Sequence, residues 1–147
     1  ALNKGAIDFI ATDHAPHTLE EKAKGYPNAP SGMPGVETSL AVMLTQAVQG
    51  RCTVAQVSNW MSTAVAKAYR IPNKGSIEPG YDADLVLVDL NHSHPVLREE
   101  VVAKCGWNPF EGWELTGWAQ VTIVNGQVAY DRGKFDEAVR GRALRFE

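Results

Sequence analysis

The sequence predicts an α/β chain: a parallel strand and helices in residues 1–71, then a β-rich module in residues 72–147. Three observations predict it. A nearly continuous apolar run, AIDFIA at 6–11, leads straight into the chemistry-bearing stretch ATDHAPHTLEEK at 11–22. Apolar residues recur at helical spacing up to Tyr69. Beyond Pro72, short β-runs alternate with Gly, Pro and Asn turns.

The elements follow in order. Gly5 breaks whatever precedes it, and Ile7, Phe9 and Ile10 give 6–11 the pattern of a parallel strand buried on both faces. Polar residues at the C-terminal end of such a strand stand where barrels and open α/β sheets place their sites. Residues 18–35 hold Gly25, Gly32, Gly35, Pro27, Pro30 and Pro34, which predicts a helical turn at 19–24 and then a long loop. A helix over 36–48 carries Leu40, Met43, Leu44 and Ala47, and Gly50 stops it. A second helix starts at the cap Thr53, runs through Trp60 and Met61, breaks near Ser62 and Thr63, and resumes over 64–69 before Pro72. Met43, Trp60 and Met61 are read as core. Turns at 73–75 and 79–80 lead into a β-run at 85–90, and two further runs flank Asn125-Gly126, the dipeptide of a tight hairpin. Three of the four tryptophans lie in GWNPFEGWELTGW, at 106–118. With no basic residues between them they read as loop anchors rather than as a base-stacking platform.

Composition excludes several classes of function. Fourteen basic against seventeen acidic residues, a net charge of −3, argue against a nucleic-acid partner. No apolar stretch approaches the ~18 residues of a membrane helix. Cys52 and Cys105 are unclustered and read as reduced, so a cytoplasmic location is expected. No secretory leader is recognisable, and the first residue is not Met, which leaves a processed or a truncated start.

Four clusters carry candidate chemistry. Asp13, His14 and His17 leave the predicted strand together; carboxylate and imidazole suit a divalent metal or proton transfer, and equally suit a turn that Asp13 caps. Pro16 stiffens that loop and favours a site. His92 and His94 form an H-x-H pair after a β-run, but no histidine follows, and Glu99 and Glu100 sit in a polar helical-looking turn. A solvated loop is the expectation there. Asp82 and Asp84 lack the glycine of a calcium loop. Lys22, with Glu20, Glu21 and Lys24, reads as a solvated helical face.

ATDHAPHTLEEK resembles the second signature of the dihydroorotases throughout: small residue, Ser or Thr, Asp, any residue, Ala-Pro-His, four residues, Lys. APSGMPGVET is similar to that family's substrate loop and following helix, and KGSIEPGYDADLVLVDL to the strand pair by which amidohydrolases enter their C-terminal β-domain. NPFEGWELTGWAQVTIVNGQVAYDRG is similar to the family's C-terminal segment, so the resemblance covers essentially the whole chain. It implies the last strand and helices of a metal-dependent (β/α)8 barrel, followed by part of a β-sandwich domain. The implied reaction is reversible conversion of dihydroorotate to carbamoyl aspartate in pyrimidine synthesis, with two zinc ions in the whole enzyme. By the same resemblance Asp13 is a ligand of one zinc and the general acid/base, and His17 holds the substrate carboxylate. Ser31 and Gly32 fall on the substrate loop, although Ser31 replaces a bulkier residue. His14 occupies the signature's variable position and receives no role.

A complete barrel takes about 250 residues, and by the resemblance only its eighth strand lies here. The expectation is therefore a C-terminal portion that is inactive alone, because a zinc site needs three or four ligands. Two alternatives stay open. Another cyclic amidohydrolase, a dihydropyrimidinase or allantoinase, would share the architecture. A silent dihydroorotase-like subunit scaffolding aspartate carbamoyltransferase would share the sequence, and homo-oligomerisation is a further expectation.

Overall fold

Local signals shape the helices first. In the computed structural model, which describes residues 1–146, Thr18 opens α1 (Leu19–Lys22) with a capping box. Its hydroxyl accepts the Glu21 N–H while the Glu21 carboxylate accepts the Thr18 N–H. The same device, Thr53 with Gln56, opens α3 (Val54–Ser58), which continues through a π turn (Asn59–Thr63) into α4 (Ala64–Ala68). The break expected near Ser62 and Thr63 is this π turn, where the Thr63 hydroxyl donates to the Gly75 carbonyl at 2.6 Å. Between α1 and α3, α2 (Ser39–Val48) follows the predicted apolar spacing and stops before Gly50, whose φ is 74°.

Four strands form one antiparallel sheet in the order β1 (Leu85–Pro95), β2 (Glu114–Val124), β3 (Gln127–Asp131), β4 (Lys134–Phe135). Asn125 and Gly126 make the β2–β3 turn at φ 50° and 80°, conformations that Asn and Gly tolerate best. α2 lies against β2, and Ala41, Val96 and Leu115 form a buried cluster with Val42, Phe110 and Trp118 packed around it. Thr45 in α2 is buried without cost to its hydroxyl, which accepts the Thr116 N–H at 2.9 Å and donates to the Ala41 carbonyl at 2.8 Å. Trp60 is buried and Met43 and Met61 are half-buried, as their core reading requires. Cys52 and Cys105 are free and partly buried.

Two expectations are corrected. Residues 6–11 form no strand: the segment bends at Ala6 and Ile7 and is irregular beyond, tied by the Ile10 N–H to the Trp60 carbonyl at 3.0 Å, and Ile7 is 47% exposed. A parallel strand exists only through its neighbours, and none pairs with this segment among the described residues. Among the described residues the β-rich half contributes one sheet. His92 and His94 lie inside β1 rather than in a loop, because pairing of Ser93, His94 and Pro95 with 114–116 carries the strand past Leu90 across a bulge. Among the described residues no helix is long and apolar enough to cross a membrane.

Asp82 and Asp84 serve the turn region. Lys74 pairs with both, and Asp84 also accepts the Asn125 N–H at 2.7 Å, joining the start of β1 to the hairpin. Partial burial pushes the Asp84 carboxyl up, but the Asn125 N–H and the Lys74 ammonium outweigh it and hold the group below its ordinary value. A carboxyl lowered in the folded state adds stability above its unfolded pKa, and that contribution disappears as pH falls through the folded value. Asp84→Asn is therefore expected to lower stability by about 1 kcal/mol or less at pH 7, since the group is solvent-screened. The loss should vanish in acid, below the depressed pKa. Denaturant midpoints at the two pH values check it, and an equal loss at both would refute the assignment.

Candidate active site

Two loops meet beside the end of segment 6–11. Ala15 donates its N–H to the Met33 carbonyl at 3.0 Å, and His14 and Met33 form an isolated parallel bridge. The approach is close enough to demand glycine. A Cβ on Gly32, whose φ is 102°, would lie 2.6 Å from the Ala15 Cβ, and one on Gly35 would lie 3.3 Å from Thr12. The loop at 31–35 is thus pressed onto 12–17 by two residues with no side chain to interpose.

Asp13 stands exposed at this junction with φ 44°, a left-handed conformation that Asp and Asn adopt more readily than other side-chain-bearing residues. His17 is half-buried. Its Nδ1 lies 3.6 Å from the Glu21 carboxylate one helical turn on, and its carbonyl accepts the Trp107 indole N–H at 2.7 Å. The Thr18 N–H holds the Glu21 carboxyl below the usual carboxylate range, which keeps an anion beside His17. Ser31 and Gly32 are exposed on the facing loop, and a Gly32 Cβ would meet the His17 ring at 3.7 Å.

His14 reaches the later part of the facing loop. Its Nδ1 accepts the N–H groups of Gly35 and Val36 at 3.1 and 3.4 Å, so it braces the loop with its proton on Nε2. Lys22 is not a solvated charge. It is half-buried, and its ammonium donates to the carbonyls of Pro30 at 2.8 Å and Gly32 at 2.9 Å. These two roles, and that of Trp107, escape a reading by residue type. Lys22 is marked only by its place in the motif, and nothing local in the sequence links Trp107 to His17.

The remaining candidate pair has partners of its own. His94 bonds Glu100 at 2.7 Å, and His92 lies 3.2 Å from the Gln120 amide. Among the described residues no group of three or more His, Cys, Asp or Glu could hold a metal ion. Asp13 is one exposed carboxylate donor where zinc takes four ligands, so the described donors do not make a zinc site by themselves.

Comparison with known proteins agrees with this layout. The model of the amidohydrolase family matches residues 1–129. A curated relative named dihydroorotase from Anoxybacillus flavithermus is 41% identical over 134 residues, covering 90% of this chain and 31% of the relative. Another of that name, from Halobacterium salinarum, is 40% identical over 144 residues, 98% of this chain and 34% of its own length. Among solved structures, the D-hydantoinase (dihydropyrimidinase) of Thermus sp. superposes with a TM-score of 0.88 at 33% identity, over 100% of this chain and 33% of that one. The L-hydantoinase of Arthrobacter aurescens gives 0.85 at 34% identity, over 91% and 31%. The chain thus spans about a third of the length of these relatives. Because the family match takes in the loop of Asp13 and His17, the helices, β1, β2 and the β2–β3 turn alike, the chain belongs to the amidohydrolase family.

Proposed function

We propose that the protein carrying this chain is a dihydroorotase, which hydrolyses the cyclic amide of dihydroorotate reversibly to carbamoyl aspartate in pyrimidine synthesis. The observation that carries the reading is the arrangement of the motif Asp13-His14-Ala15-Pro16-His17 with Lys22. Its imidazole and the Gly32 loop face each other, and Lys22 spans the gap. Relatives named dihydroorotase at about 40% identity support it.

In this reading, zinc bound in the whole enzyme would activate water and polarise the ring carbonyl. The remaining ligands, beyond Asp13, belong to parts of the enzyme outside this third of its relatives' length. The chain's own residues do the following. Asp13 takes the proton of the attacking water at its carboxylate oxygen and returns it to the departing ring nitrogen, so one group serves both transfers. His17 donates a hydrogen bond to the substrate carboxylate, and the loop at Ser31 and Gly32 closes on the same group and excludes water.

The hydantoinase structures favour a second reading, a hydrolase of cyclic amides that lack the ring carboxylate. His17 separates the two. In the intact zinc-loaded enzyme, His17→Ala is expected to raise KM for dihydroorotate about 10–100-fold, the worth of a hydrogen bond to a charged group. It should leave KM for dihydrouracil unchanged. Turnover of dihydrouracil or hydantoin well ahead of dihydroorotate by the unaltered enzyme would favour the second reading.

A further inference from the structure

Lys22 and Trp107 are unexplained by the chemistry assigned above. Lys22 is the last residue of α1, a one-turn helix whose start is fixed by the Thr18–Glu21 capping box. From there its ammonium reaches two carbonyls of the facing loop, Pro30 and Gly32, at 2.8 and 2.9 Å. The same ammonium stands 5.9 Å from the centre of the Trp107 ring, within reach of cation–π attraction. The Trp107 N–H in turn donates to the His17 carbonyl at 2.7 Å, across 90 residues of sequence. Loop, helix, imidazole-bearing turn and the segment before β2 therefore share one small hub.

We propose that Lys22 and Trp107 are positioning residues that hold the 30–32 loop and His17 in register for an anionic substrate group. The inference rests on the reading that His17 and Gly32 bind that group. Its physical basis is separate. Residues 25–35 contain no helix or strand of their own, and between the turn at Gly25 and the Met33 bridge to Ala15 no main-chain bond holds the carbonyls of Pro30 and Gly32; a loop left free there must be ordered at each binding event. The ammonium orders it in advance: two of its three donors are spent on carbonyls two residues apart, and the indole face covers the third side. Trp107 extends that order to the main chain of His17 without touching the substrate. Neither residue meets the reacting atoms, so removing either should cost binding and leave the proton transfers alone.

The test compares Lys22→Met, Trp107→Phe and Lys22→Arg in the intact zinc-loaded enzyme. Lys22→Met keeps the aliphatic stem and loses the donors, and Trp107→Phe keeps an aromatic ring and loses the N–H. Each is expected to raise KM for dihydroorotate about tenfold, with kcat within about twofold and an unshifted pH profile of kcat. Lys22→Arg should recover part of the loss. The double variant should lose less than the product of the single effects, because the two act on one hub. KM unchanged, or kcat falling with KM constant, overturns the proposal.

Trypsin cleavage at the Lys24–Gly25 bond reads the same order without turnover. Both loss variants should be cut several-fold faster than the unaltered enzyme, and equal rates overturn the proposal. If the unaltered enzyme fails to open dihydroorotate, the functional reading falls, and cleavage alone decides whether the hub orders the loop.

Discussion

Asp13→Asn is expected to lower kcat on dihydroorotate by about 10²–10⁴-fold, the usual worth of a general acid/base, while the fold persists. The substitution is unusually clean at this position. Asp13 sits at φ 44°, where most side chains are strained, and Asn is the side-chain-bearing residue that shares the tolerance of Asp for that conformation. Asp13→Ala would confound loss of the carboxylate with strain of the turn, but Asn keeps size and backbone and removes the negative charge, and with it the ability to carry the proton and to serve as an anionic zinc ligand. The carboxylate is exposed at the meeting of the two loops and closes no buried network, so its removal leaves the packing of α2 on β2 untouched. Steady-state kinetics alongside a thermal melt check both halves of the expectation. Rates within tenfold of the unaltered enzyme would remove Asp13 from the proton-transfer role, and a lowered melting temperature would mark it as structural.

What could be read from the sequence divides according to the range of the interactions involved. The helices and the hairpin have local causes: the Thr53–Gln56 box, apolar spacing through Leu40, Met43 and Leu44, and Asn125-Gly126. They fall where expected. Segment 6–11 is apolar enough for a strand, yet strand structure belongs to a pair, and no local pattern tells whether a neighbour is present. The place of His92 and His94 inside β1 has a related cause. Alternation fails at Asn91, but the bulged pairing with 114–118 carries β1 onward, and that pairing is formed by residues nineteen or more positions away. At the candidate site, Asp13 and His17 were legible as candidates through the motif, and Gly32 through the loop that follows it. The bracing by His14 Nδ1 and the Lys22–Trp107 hub were not, because each joins side chain to main chain across loops with no periodic signal. Residue type marked the chemistry, and long-range hydrogen bonds supplied its support.

Gly117→Ala is expected to destabilise the protein by about 2–4 kcal/mol, combining a left-handed backbone penalty with overpacking. Gly117 lies buried in β2 with φ 97°, and an added Cβ would stand 2.6 Å from the Leu44 Cβ. Contact at that distance requires movement, and little is available: Leu44 is 2% exposed, so its helix cannot yield without parting α2 from β2. Leu44→Ala offers a control with a specific outcome. The atom in the way is the Cβ of residue 44, which alanine retains, so truncating Leu44 should not rescue Gly117→Ala and the two losses should nearly add. If the crowding instead arose farther along the leucine, at Cγ or Cδ1, which lie 3.6 and 3.4 Å away, the double variant would recover much of the loss. Urea unfolding of the three variants distinguishes these cases. A loss below about 0.5 kcal/mol, the scale of an ordinary surface change, would refute the close packing of helix and strand. The consequence reaches the site, because α2 begins four residues after Gly35 and three after Val36, whose N–H groups His14 holds. A displaced α2 would drag the 31–35 loop with it, so under the proposed function activity should fall at temperatures where the variant is still folded.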